Sequence, residues 1–179
     1  MSEAVKNNFN VIDYYKYWNE DAIKADLDTK RNNFTLLCAN IGGDFNLGTI
    51  IRCANAFLAK EVIIYGKKQF DRRSTVGTHR YEHLKHVRNV ADLNDLKENY
   101  LKDSHLIGID NIPAAKAIET FQWPKKHIVL CFGEEQLGIP EEIRALCDDF
   151  VYIQQYGSVR SLNVGVAAGI AIYDLMRKT

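Results

Sequence analysis

The chain has 179 residues, 46% of them apolar and 26% charged, with 23 Lys and Arg balanced by 23 Asp and Glu to a formal net charge of zero. That length predicts one domain with a substantial core, and the neutrality argues against a protein that coats nucleic acid through uniform charge. No apolar run approaches the roughly 18 residues of a membrane span, and Met1 to Asp13 lacks the basic-then-apolar order of a secretory leader, so the cytoplasm is the expected location.

Residues 1–33 are polar and aromatic, with Tyr14, Tyr15, Tyr17 and Trp18 set among charges. They read as an N-terminal helical extension packed on a main domain over 34–179 or on a partner. From Phe34 onward the pattern predicts strands at 35–39, 61–65, 105–109, 127–132 and 150–153, with a weaker one at 86–90. Helices are expected at 48–58, 93–101, 140–147 and 162–177. Pro140 followed by Glu141 and Glu142 suits a helix opening, because proline is tolerated in the first turn and acids complement the dipole there. Residues 110–123 read as an irregular connection holding one short helix. Strands separated by helices predict an α/β fold, a parallel sheet flanked by helices on both faces.

The charge is unevenly placed. Between Lys67 and Arg88 stand seven basic residues (67, 68, 72, 73, 80, 85 and 88) against Asp71 and Glu82, with three histidines interspersed. Such a segment suits docking of a polyanion, or is simply a solvated face. Arg72, Arg73, Arg80 and, further on, Arg160 are the candidate polyanion contacts. His79 and His83 have i,i+4 spacing, but the residues between them are not those of H-E-x-x-H, and no metal site is expected. Cys38, Cys53, Cys131 and Cys147 are scattered, form no C-x-x-C pair, and read as buried free thiols.

Three loops between an apolar strand and a helix carry glycine with polar residues: Asn46-Leu47-Gly48-Thr49-Ile50-Ile51-Arg52, then Leu130-Cys131-Phe132-Gly133-Glu134-Glu135-Gln136-Leu137-Gly138-Ile139-Pro140, then Ile153-Gln154-Gln155-Tyr156-Gly157-Ser158-Val159-Arg160-Ser161-Leu162-Asn163-Val164. The last runs into a small-residue helix, with Ser161 expected at its N-cap and its backbone N–H groups turned to a ligand. The spacing of the glycines fits neither the G-x-G-x-x-G of a dinucleotide site nor a P-loop. In sequence and order the three segments resemble the motifs of the SpoU/TrmH family of SPOUT RNA methyltransferases, over roughly 33–177.

That resemblance implies an α/β knot with a C-terminal trefoil, a homodimer, and S-adenosylmethionine-dependent methylation of a ribose 2′-hydroxyl in tRNA or rRNA, a tRNA guanosine being slightly favoured. It places the cofactor on the backbone around Ile109, Asp110, Gly133, Ile153 and Leu162. It also implies a catalytic set of Arg52, Asn46, Glu135, Ser161 and Asn163. A guanidinium is a poor base, so Arg52 is better suited to anchor phosphate and to stabilise negative charge on the 2′-oxygen. Asn46 is expected to orient Arg52 or to cap a helix beginning near Gly48. Ser161 either binds substrate or caps its helix. Asn163, an amide just inside an apolar helix, needs a bonded partner. The competing reading is a non-catalytic RNA-binding protein that keeps the fold.

Overall fold

The computed structural model of the protein describes residues 10–39, 44–67, 70–134 and 137–179. Seven strands, β1 (Phe34–Ala39), β2 (Val62–Tyr65), β3 (Leu84–Val87), β4 (Ser104–Ile109), β5 (Lys116–Ala117), β6 (His127–Phe132) and β7 (Asp149–Tyr152), make one sheet in the order β3-β2-β1-β6-β4-β7-β5. Every neighbouring pair is parallel. Strands covered on both faces need no polar alternation, and all positions of β1 and β2 are buried.

Alternate residues of β1 feed two cores, as the pleat requires. Leu36 and Cys38 join the core formed with α2 (Asp44–Ala56) and α5 (Val164–Lys178), through Ile50, Ile51 and Ala54 of the first helix and Ala168, Ala171 and Ile172 of the second. Leu37 and Ala39 join the opposite core, with Leu93 of α3 (Val90–Asp95) and Ile143 of α4 (Glu141–Arg144). This parallel sheet between helical layers fits the α/β knot implied by the resemblance.

The N-terminal extension is docked by α1 (Glu20–Asp28), which Asn19 caps through its bond from Ala22 N. Ile23 and Leu27 pack with Tyr15 and Tyr81. Beside them Arg31 spans the junction, donating to Glu82 at 2.6 Å and to the Ala59 and Tyr81 carbonyls at 2.8 Å each. Glu82 also accepts from Asn55 of α2 at 2.8 Å. Burial pushes the Glu82 carboxyl up, and Asn55 and Arg31 oppose the shift.

Several element bounds differ from the sequence reading. Helix α2 starts at Asp44, so Asn46 is inside it and does not cap a helix opening near Gly48. Gly48 is a poor helix former but a necessary one here, because a Cβ would enter the side chain of Ser74. The third strand lies at Leu84–Val87, since Asn89 already caps α3, and α3 continues through a wider turn at Leu96–Tyr100. Helix α4 is a single turn. The connection at 110–123 holds the two-residue edge strand β5 and no helix.

Candidate active site

A cavity of about 630 Å³ opens at the carboxyl ends of β4, β6 and β7. Ile109, Asp110, Gly133, Ile153 and Leu162, the five residues expected around the cofactor, all line it, together with Arg160 and Ser161. Asn46 and Arg52 do not line it, and Glu135 lies outside the described residues.

Its wall is built by close backbone approach. Glu134 and Gly138 exchange two backbone hydrogen bonds, at 3.0 and 2.8 Å, and Gly138 adopts φ +69°, where a side chain would be strained. A Cβ on Gly133 would lie closer than 3.0 Å to the backbone of Gly138 and Ile139. Asp110 pins this loop. Its Oδ2 accepts from Ile139 N at 3.2 Å and its Oδ1 from Asn111 N at 2.8 Å, with the Arg144 guanidinium at 3.6 Å. Asp110 therefore shapes the wall with both carboxylate oxygens engaged.

Arg144 and Gln155 are lining residues that sequence reasoning missed. The Arg144 Nε and the Gln155 Oε1 are buried without a hydrogen-bond partner, one a donor and one an acceptor. Nothing in the sequence pattern marks Arg144, which looks like an ordinary last-turn cation of α4.

The third motif corrects two expectations. The N-cap of α5 is Asn163, whose Oδ1 accepts from Gly165 N at 3.0 Å and Val166 N at 3.3 Å, and not Ser161, which is exposed. Asn163 therefore lies before the helix, and its amide is satisfied there. Its Nδ2 donates to Asn46 Oδ1 at 2.8 Å, joining residues 117 positions apart. The helices themselves meet closely: a Cβ on Gly165 would be 2.8 Å from Thr49 Cγ2, and Ala168 and Ala171 are fully buried. The small residues of α5 thus seat it on α2 of the same chain. Its exposed apolar residues are Val166, Ile170 and Tyr173.

Arg52 is exposed on α2, with no ion pair or hydrogen bond among the described residues. Four residues before it, Gly48 receives the tight turn Arg72–Thr75, so the motif-one helix abuts the basic segment. Within that segment Arg73 is tied to Asp71 at 2.6 Å, and Arg80 pairs with Glu20 of α1. Arg72 is exposed and makes no ion pair with a described residue. His79 bonds Thr75 Oγ1 at 2.6 Å, and burial, then the charges of Arg72 and Arg80, push its pKa down. His83 turns to Asp28 at 2.9 Å, so the two histidines serve different partners.

An open parallel sheet with a loop-walled cavity at the carboxyl ends of its strands is the architecture of a ligand-binding α/β protein. The family is shown by sequence: the chain belongs to the SpoU rRNA methylase family, whose model matches residues 33–173. It is similar to a 23S rRNA (guanosine-2′-O-)-methyltransferase of Haemophilus influenzae, 30% identical over 171 residues covering 91% of this chain and 67% of that protein. It is also similar to the tRNA (guanosine(18)-2′-O)-methyltransferase of Aquifex aeolicus, 26% identical over 161 residues, 85% of this chain and 72% of that one. Among solved structures, the SpoU methyltransferase AviRb of Streptomyces viridochromogenes, in complex with the cofactor AdoMet, superimposes with a TM-score of 0.72 at 27% identity, covering 83% of this chain and 58% of that one. The A. aeolicus TrmH/SpoU tRNA modifying enzyme shares the fold at TM-score 0.76 and 24% identity, with 89% and 83% covered. The chain spans about two thirds of the length of its bacterial relatives from H. influenzae and Bacillus subtilis.

Proposed function

We propose that the chain is an S-adenosylmethionine-dependent RNA 2′-O-ribose methyltransferase acting on tRNA or rRNA, with its catalytic domain over 34–179. The observation that carries this reading is convergence: five residues drawn from separate segments, Ile109 to Leu162, border one cavity of a size suited to a cofactor. The cavity also fits the group chemically. An amino-acid-bearing nucleoside brings a carboxylate and an ammonium, which meet the needs of the orphaned Arg144 Nε and Gln155 Oε1.

When bound, S-adenosylmethionine supplies an electrophilic methyl group. The chain supplies the positioning and the charge. Backbone groups around Gly133, Ile153 and Leu162 hold the nucleoside, and the loop pinned by Asp110 excludes water from one side. Ser161, which is exposed and lines the cavity, hydrogen-bonds the ribose in this reading. The Asn46–Asn163 bond fixes the motif-one helix against the start of α5. Arg52, with no ion pair among the described residues, binds an RNA phosphate and stabilises charge developing on the 2′-oxygen, while its own proton stays in place. Glu135, next to the cavity residue Glu134 in sequence, completes the set.

Because Arg52 lies outside the cavity of its own chain, the reading includes a homodimer in which a second copy approaches across Val166, Ile170 and Tyr173 of α5. It also includes threading of the C-terminal segment as a trefoil knot. Titration calorimetry with S-adenosylmethionine and its demethylated product tests the core of the proposal. Saturable heat with a rise in melting temperature is expected, because a ligand preferring the native state stabilises it. No heat and no shift at millimolar ligand would overturn it.

A further inference from the structure

A second cavity, of about 500 Å³, lies at the amino ends of the strands, where Glu61 and His83, two of its lining residues, immediately precede β2 and β3. The cofactor cavity is at the carboxyl ends, and the two share no lining residue. Most charges around this second cavity are matched. Arg31 gives its Nε to Asp28 at 2.9 Å and its other nitrogens to Glu82 and two backbone carbonyls. Asp28 in turn meets His83 at 2.9 Å. Two opposite charges are left over. Glu61 is 7% exposed, and its Oε1 is buried without a hydrogen-bond partner. Its chain neighbour Lys60 also lines the cavity, is exposed, and makes no ion pair with a described residue. Tyr100 adds an aromatic wall, its ring held by Lys85 Nζ at 3.6 Å from the centroid. Burial first, then the adjacent Glu61 carboxylate, pushes the Tyr100 hydroxyl pKa up.

A buried carboxylate with an unmatched oxygen is costly to a fold, because no donor replaces its lost hydration. The Glu61 backbone serves the sheet, its carbonyl accepting from Leu36 N at 3.1 Å, but its Oε1 has no such use. A protonated amine fits that oxygen, since it donates and carries the opposite charge. Lys60, on the same cavity, calls for an anion. A ligand with one charge alone fits less well: a bare amine would be set beside an unmatched ammonium, and a bare anion beside an unmatched carboxylate. We propose that this cavity binds a small zwitterion of the amino-acid type, its ammonium donating to Glu61 Oε1, its carboxylate meeting Lys60 and its side chain lying along Tyr100. The volume suits such a molecule. The site binds without making or breaking a bond, and it does not depend on the methyltransferase reading.

The test uses the full chain and the twenty common amino acids, each at millimolar concentration, in a thermal-shift screen followed by calorimetry on those that raise the melting temperature. At least one is expected to raise it and to give saturable heat. Its decarboxylated amine and its N-acetyl derivative, each lacking one of the two charges, should bind at least about tenfold more weakly. Glu61→Gln, which keeps the shape and removes the charge, should weaken the amino acid by a similar factor, and Lys60→Gln should weaken it severalfold. S-adenosylhomocysteine should not displace it, and S-adenosylmethionine affinity should be the same in both variants. Glu61→Gln should melt no lower than the wild type, since it removes an unmatched buried charge. No shift with any of the twenty, or undiminished affinity in Glu61→Gln, would overturn the site. So would displacement by S-adenosylhomocysteine, which would place the amino acid in the cofactor cavity, and so would a clear fall in the melting temperature of Glu61→Gln, which would make the carboxylate a structural group. Equal binding of the amine or the N-acetyl derivative would overturn the zwitterion as its ligand.

Discussion

Gly133→Ala is the perturbation that most sharply separates the cavity wall from the rest of the fold. The three atoms nearest to a Cβ at Gly133 are all backbone, from Gly138 and Ile139, and all lie closer than 3.0 Å. Backbone cannot rotate away as a long side chain would, so the Gly138 and Ile139 backbone has to be displaced, and with it the Asp110 to Ile139 bond at 3.2 Å. Overpacking of this kind costs about 1–3 kcal/mol. At roughly 2–4 °C per kcal/mol for a chain of this size, the melting temperature should fall by several degrees. Cofactor affinity should fall at least tenfold, because the displaced loop is the wall itself. Gly157→Ala is the matched control, since a Cβ there meets nothing within 4 Å, and it should melt and bind cofactor as the wild type does. Thermal denaturation followed by circular dichroism, with calorimetric titration of S-adenosylmethionine, reads both quantities. Unchanged melting and affinity in Gly133→Ala would show that the close approach at Gly133 does not hold the site.

Arg52→Ala should lower single-turnover methyl transfer by about a hundredfold, the scale of one lost oxyanion donor, with cofactor affinity unchanged because Arg52 lies outside the cavity; Arg52→Lys should rescue poorly, lacking the planar fork, and near-normal transfer in Arg52→Ala would remove it from the mechanism. In the basic segment, Arg72→Glu should weaken RNA binding and reduce its salt dependence more than Arg73→Glu, since Arg73 is already neutralised by Asp71; equal effects in a filter-binding salt series would contradict this. Lys116, then His105, holds the Asp149 carboxyl below its usual range, against the opposing effect of burial. The stability this contributes is complete above about pH 4, the unfolded value, and is lost as pH falls through the lower folded value. Urea titrations should therefore show a smaller acid-side loss in Asp149→Asn than in the wild type.

What the sequence made legible was set by local physics. Apolar runs bounded by turns marked five of the seven strands closely, because a buried parallel strand needs no polar alternation. Strand β5 escaped notice, since two residues, Lys116 and Ala117, carry no pattern. The start of α2 was misread because Gly48 argues against a helix interior, and only its contact with Ser74 explains it. Ser161 and Asn163 are both good capping residues two positions apart, and the choice between them depends on where Asn46 arrives from elsewhere in the chain. The cavity residues came from the resemblance in motif order and not from spacing or composition. The clamp at Asp110 and the orphaned atoms of Arg144 and Gln155 are tertiary facts, created by loops meeting at the carboxyl ends of the strands. The small-residue helix α5 was legible, but the helix it packs on, α2 of the same chain, was not.

The central claim is methyl transfer to a ribose hydroxyl, and one measurement addresses it directly. The protein is incubated with S-adenosylmethionine bearing a deuterated methyl group and unmodified tRNA and rRNA transcripts, and the RNA is digested to nucleosides for mass spectrometry. The account predicts the label on the ribose of a single nucleoside species, as a 2′-O-methyl group that disappears with Arg52→Ala. Label on a base, or no label from a protein that binds both the cofactor and the RNA, would contradict it.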